Sequence, residues 1–127
     1  MSGCGVCLGG EIECGAEFYS SDTVTARKPH KCYECRQVIP VGARYFKESG
    51  KWDGMFESFS TCLMCAEIRT AFTCDDGNTV ICYGELWYEI REALFPNMTT
   101  GCLEKLTTAA AKEFLIQRWN EWKFKSE

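Results

Sequence analysis

The sequence predicts a small α+β fold pinned by cysteines: a knuckle, a β-hairpin and a helix in treble-clef-like order, then two amphipathic helices. Three observations carry that prediction. Two Cys-x-x-Cys pairs, C-Y-E-C at 32–35 and C-L-M-C at 62–65, stand twenty-six residues apart. Between them, G-K-W-D-G separates two β-prone runs. Beyond residue 84, apolar residues recur at helical spacing.

Each Cys-x-x-Cys pair places two thiolates on one tight turn, where both reach a metal about 2.3 Å from each sulfur. Four thiolates complete a tetrahedron and leave no position for a substrate water, which describes a structural zinc centre. Cys32, Cys35, Cys62 and Cys65 are therefore the ligands expected of a finger spanning residues 32–73. In its knuckle, Val38 or Ile39 is expected beneath the metal, with Pro40 and Gly42 turning the chain outward. A-R-Y-F-K-E-S and M-F-E-S-F-S read as strands joined by a turn of about five residues. The second pair opens a helix, with Thr61 as its expected N-cap and Leu63, Ile68 and Phe72 as its apolar stripe.

Residues 1–31 read as a largely irregular arm, because glycines at 3, 5, 9, 10 and 15 oppose a helix. Cysteines are its obvious pins. A second zinc on Cys4 and Cys7 with Cys74 and Cys82 would staple the arm to the chain after the finger, Cys14 serving as substitute ligand. Cys102 reads as a free thiol. Residues 74–82 read as a turn and short strand. Leu86, Ile90 and Ala93–Leu94, with Trp87 beside them, mark a helix that Pro96 stops. Ala111, Leu115, Trp119 and Trp122 mark a last helix from about 107 to 123, flanked by Phe114. The whole of 1–127 reads as one domain: arm, finger and a mainly helical body from 74 to 127.

The charge is unevenly placed. Residues 25–52 carry seven Lys/Arg against Glu34 and Glu48, a net +5, within a chain of net −4. A basic finger on an acidic body attracts anionic surfaces locally but repels a long nucleic acid. No apolar run approaches the roughly 20 residues that span a bilayer. The start M-S-G-C-G-V-C has no secretory pattern, so a cytoplasmic protein without a membrane partner is expected. With His30 the one histidine, a hydrolytic metal centre lacks its usual bases and ligands, and no enzyme activity or small-molecule substrate is expected.

Four stretches between Ala26 and about Leu94 stand out together: A-R-K-P-H-K-C-Y-E-C-R-Q-V-I-P-V-G, G-K-W-D-G, T-C-L-M-C-A-E-I-R and G-E-L-W. Over this span the chain resembles a group of small treble-clef-like zinc-binding proteins encoded by phages and prophages. The resemblance implies a viral accessory protein without handing over an activity. The function expected on these grounds is docking on a host protein in the host cytoplasm, with inhibition of a host defence complex as an extension. Candidate contact residues are Arg36, Arg44, Lys47 and Trp52 on the finger and Trp119 and Trp122 on the last helix. The alternatives are a nucleic-acid-binding regulator that uses residues 25–52, and, less well matched, a treble-clef nuclease.

Overall fold

A computed structural model describes residues 4, 8, 18–52, 54–73 and 84–125, the side chains of Phe18, Tyr19 and Trp52 excepted. The architecture is mixed α+β, with antiparallel strands and helices. Strand β1 (Phe18–Thr25) pairs with β4 (Arg44–Trp52), which pairs with β5 (Met55–Cys62), in a three-stranded antiparallel sheet. Two short strands, β2 (His30–Lys31) and β3 (Val38–Ile39), form a separate two-stranded ladder. Helix α1 (Leu63–Phe72) follows β5 without a break. The chain resumes with α2 (Leu86–Glu89), widens into π turns over Ile90–Leu94 and tightens to a 3-10 turn over Phe95–Asn97. Helices α3 (Thr100–Leu103) and α4 (Ala109–Lys125) complete the fold.

Several expectations are corrected. The arm is not irregular throughout, since Y-S-S-D-T-V-T lies within β1 and pairs in register with β4. Its Tyr, Val and Thr residues are strand formers, a signal that the glycines nearer the terminus obscured. The hairpin turn is tighter than five residues, because Trp52 already pairs with Met55 and Gly54 sits at φ +82°. An Asp-Gly pair is the usual sign of such a two-residue connection. Thr61 is not the cap of α1; it is buried in β5, and Cys62 caps the helix by accepting from the Cys65 N–H at 3.4 Å.

The core forms where α1, α2 and α4 meet. Ile68, Phe72, Leu86, Ile90, Leu94 and Leu115 are fully buried, with Trp87, Phe95 and Phe114 nearly so. Leu63 does not share the stripe of Ile68 and remains 45% exposed. At about 100° per residue, positions five apart on a helix diverge by about 140°. The last helix buries Ala111, Phe114 and Leu115 as its spacing requires, while Trp119 and Trp122 are half-buried toward its end.

Glu67 on α1 fastens α4 to the finger. Its Oε2 accepts from the Thr107 and Thr108 N–H groups at 2.7 and 3.2 Å, and its Oε1 from Thr108 Oγ1 at 2.8 Å. Thr108 Oγ1 in turn accepts from the Ala111 N–H at 3.2 Å, which makes Thr108 the N-cap of α4. Desolvation opposes ionisation of Glu67, but the hydrogen bonds from Thr108 and Thr107 prevail and hold its carboxyl below the ordinary value of 4.5. Its contribution to stability is therefore complete above pH 4.5 and disappears as pH falls through the lower folded-state value. The gap in urea midpoint between wild type and Glu67→Gln is expected to close over that interval. A constant gap would contradict the assignment.

Cys4 is bonded to Cys102, closing a loop across 98 positions. Cys102 is thus not a free thiol, and Cys4 is not a ligand of a second zinc, because a disulfide sulfur offers no thiolate. Cys7, Cys14, Cys74 and Cys82 lie outside the described residues. Leu8, fully buried, donates its N–H to the Phe72 carbonyl at 2.6 Å and provides a second anchor for the amino-terminal segment. Substituting Cys4→Ser is expected to lower the unfolding free energy by about 2–5 kcal/mol, measured by urea denaturation, without changing metal content.

Candidate metal centre

The first ligand turn is built by the backbone. The Cys32 N–H donates to the Gln37 carbonyl and the Arg36 N–H to the Cys32 carbonyl, both at 2.9 Å. Closing that turn puts Arg36 at φ +65°, a left-handed conformation uncommon outside glycine. The Tyr33 N–H bonds the Ser60 carbonyl at 2.8 Å, which fixes the knuckle against β5. Strand β5 then delivers Cys62 and the first turn of α1 delivers Cys65 to the same point.

The four sulfurs of Cys32, Cys35, Cys62 and Cys65 lie within 4.8 Å of one another. A tetrahedron with metal–sulfur bonds of about 2.3 Å has edges of about 3.8 Å. The Cys35 and Cys62 sulfurs are 3.9 Å apart, which fits such an edge. Cys32 and Cys65 are fully buried and Cys35 nearly so. These four cysteines are positioned to bind a metal ion.

Hydrogen-bond donors surround the sulfurs. Cys32 Sγ accepts from the Cys35 N–H at 3.5 Å and the Cys62 N–H at 3.4 Å. Cys65 Sγ accepts from the Trp87 indole N–H at 3.4 Å. The thiols also compete for protons. Hydrogen bonds from Cys35, then Cys62 and Cys65, push the Cys32 thiol down. Cys65 is pushed up, chiefly by its hydrogen bond to Cys32 and then by those to Cys35 and Cys62. Cys32, and less strongly Cys35, are thus favoured as thiolates at the expense of Cys62 and Cys65, and a divalent cation is the group that would let all four ionise together.

Around the sulfurs lies a shell of residues from distant parts of the chain. Glu34, between the first two cysteines, has a fully buried carboxylate. It pairs with Arg69 of α1 and accepts from the Gly84 and Leu86 N–H groups at 2.9 and 3.2 Å. Burial raises its pKa above the ordinary value, against the opposing pull of Arg69 and the two backbone donors. Gly84 sits at φ +91°, where an added Cβ would stand 2.8 Å from the Tyr33 ring. Arg118 of α4 donates to the Cys35 carbonyl at 3.3 Å, its guanidinium 4.8 Å from the Trp87 ring centroid and 5.1 Å from that of Phe114. The finger and helical body thus share one polar lattice around the cysteines.

Sequence reasoning missed this shell. Glu34 stood in plain view within C-Y-E-C, but its partners are 35, 50 and 52 positions away. No local pattern reports such distances.

The remaining candidates are scattered. His30 is outside the cysteine cluster, with Nε2 3.3 Å from the Tyr45 hydroxyl. Ile39, rather than Val38, packs inward, at 3% and 61% exposure. Arg36 is exposed, its guanidinium 4.7 Å over the Tyr33 ring. Arg44 is exposed too, bonding Thr25 Oγ1 and the Thr23 carbonyl at 3.2 and 3.3 Å. Lys47 is exposed opposite Asp22. On α4, the Trp119 ring lies 3.8 Å beneath Lys123 Nζ, and the Trp122 ring is 5.7 Å from that of Phe95. The side chain of Trp52 lies outside the described residues. No helix among the described residues is long and apolar enough to cross a membrane.

The chain matches no protein-family model, no curated protein and no solved structure.

Proposed function

We propose that the metal is zinc, that the finger is a treble clef, and that the protein is a binding module rather than an enzyme. The carrying observation is the four-cysteine cluster, whose sulfur spacing suits a tetrahedral metal with every position taken by protein. Such a centre has no open position for water, so its contribution is to hold knuckle, hairpin and helix together. The order β2–β3 knuckle, β4–β5 hairpin and α1 supports the treble-clef reading. Function then belongs to the surfaces that this frame presents. The resemblance to phage-encoded proteins supports a viral accessory factor that docks on, and inhibits, a protein of the bacterial host.

The host cytoplasm is the compartment proposed. Four free cysteines in one cluster suit its reducing conditions, while the Cys4–Cys102 disulfide departs from cytosolic habit. A second metal on the amino-terminal cysteines is not part of the proposal. Affinity purification of the tagged, zinc-loaded protein from bacterial lysate tests the docking reading. One host protein retained in near-stoichiometric amount is the expected result; retention of nothing above a tag control overturns it.

A further inference from the structure

We infer that the groove between the knuckle and the start of α1 binds an acidic, amphipathic segment of a partner protein. Val38, Pro40, Ala43, Arg44, Leu63 and Met64 line it, and Cys62 forms part of its wall. Val38 and Leu63 are 61% and 45% exposed, and Val41, next to Pro40, is 61% exposed. The other large exposed apolar residues among those described, Met55, Phe56, Tyr88 and Phe124, do not line this groove. Val38 occupies the outward position of a two-residue strand whose Ile39 is buried. Leu63 is turned away from the core stripe by its spacing from Ile68.

The charge around the groove selects the occupant. Lys31 lies directly opposite Val38 in the β2–β3 ladder, and both are exposed. Arg44 lines the groove, and Arg36 stands exposed in the knuckle that leads into β3. The acidic residues of this segment, Glu34 and Glu48, are both buried, so neither presents a carboxylate at the surface beside these cations. An apolar floor under a cationic rim complements a helix or extended segment with aliphatic anchors flanked by Asp or Glu. A single-stranded nucleic acid would need aromatic faces for stacking. Tyr45 is buried, and Tyr33 packs at 4.5 Å against Phe59 beneath the Arg36 guanidinium. The groove's own lining holds no aromatic side chain and its exposed apolar residues are aliphatic, which favours a protein at this surface.

The inference rests on the protein-binding reading above but is tested separately from it. Short randomised peptides displayed on a surface are selected against the immobilised, zinc-loaded protein, and winners are measured by fluorescence anisotropy. The expected winners are acidic, carry two or three spaced apolar residues, and weaken as salt rises. Their affinity is expected to fall by about tenfold or more on Val38→Asp with Leu63→Asp, and similarly on Lys31→Glu with Arg44→Glu. The aspartate at 63 stands at the first position of α1, where the helix dipole favours it, and circular dichroism and zinc content check that both variants fold. Winners that are basic, winners indifferent to both variants, or no winners at all overturn the assignment. So does tight binding of oligothymidine at this surface, or self-association that the Val38→Asp, Leu63→Asp variant abolishes. A host protein captured equally well by that variant ends this assignment while leaving the general docking reading intact.

Discussion

Cys65→Ser is expected to abolish cooperative folding. Cys65 is fully buried, belongs to the sulfur cluster and receives the Trp87 indole N–H. Serine supplies a poor zinc ligand, so the metal would be held by three thiolates or lost. In small zinc domains the metal contributes about 10–16 kcal/mol to folding, which rivals the about 5–15 kcal/mol total stability of an ordinary domain. The expected thermal melt has no sharp transition, and the protein aggregates when concentrated. A variant that melts cooperatively near the wild-type temperature would show that the cysteines are ordinary core residues.

Glu34→Ala is expected to cost about 3–5 kcal/mol, the usual penalty for removing one partner of a buried ion pair. It leaves Arg69 without its carboxylate and removes the acceptor for the Gly84 and Leu86 N–H groups. That acceptor joins the knuckle to the start of α2, so the loss removes one of the ties between the finger and the helical body. Glu34→Gln keeps an oxygen for the two backbone donors and is expected to recover part of the loss. All four cysteines remain in both variants, so zinc content is expected to stay at the wild-type value while the urea midpoint falls. An unchanged midpoint in Glu34→Ala would contradict the role given to this residue.

The contrast between these two residues explains what was legible in the sequence. A four-cysteine metal-type cluster announces itself because its chemistry needs two thiolates on one turn, a requirement visible over four positions. The helix stripes of Leu86, Ile90 and Leu94 and of Ala111 and Leu115 are legible for the same reason, since burial imposes a local period. Glu34, Trp87 and Arg118 act across the fold, and nothing beside them in the chain marks their partners. β1 was hidden for a related reason: a strand against β4 is stabilised by partners 19 to 33 positions away, from Thr25↔Arg44 to Phe18↔Lys51. The Cys4–Cys102 bond is likewise a matter of proximity in space, and ten cysteines offer too many pairings for spacing to choose it. The finger was readable because its logic is local; the lattice that welds it to the helices was not.

The central claim is that one zinc, held by Cys32, Cys35, Cys62 and Cys65, organises this fold. Elemental analysis of the purified wild-type protein beside Cys65→Ser tests it most directly. The account predicts at least one zinc per wild-type chain and a loss of that zinc in the variant. A wild-type protein that is folded, monodisperse and carries less than one zinc per chain would contradict it.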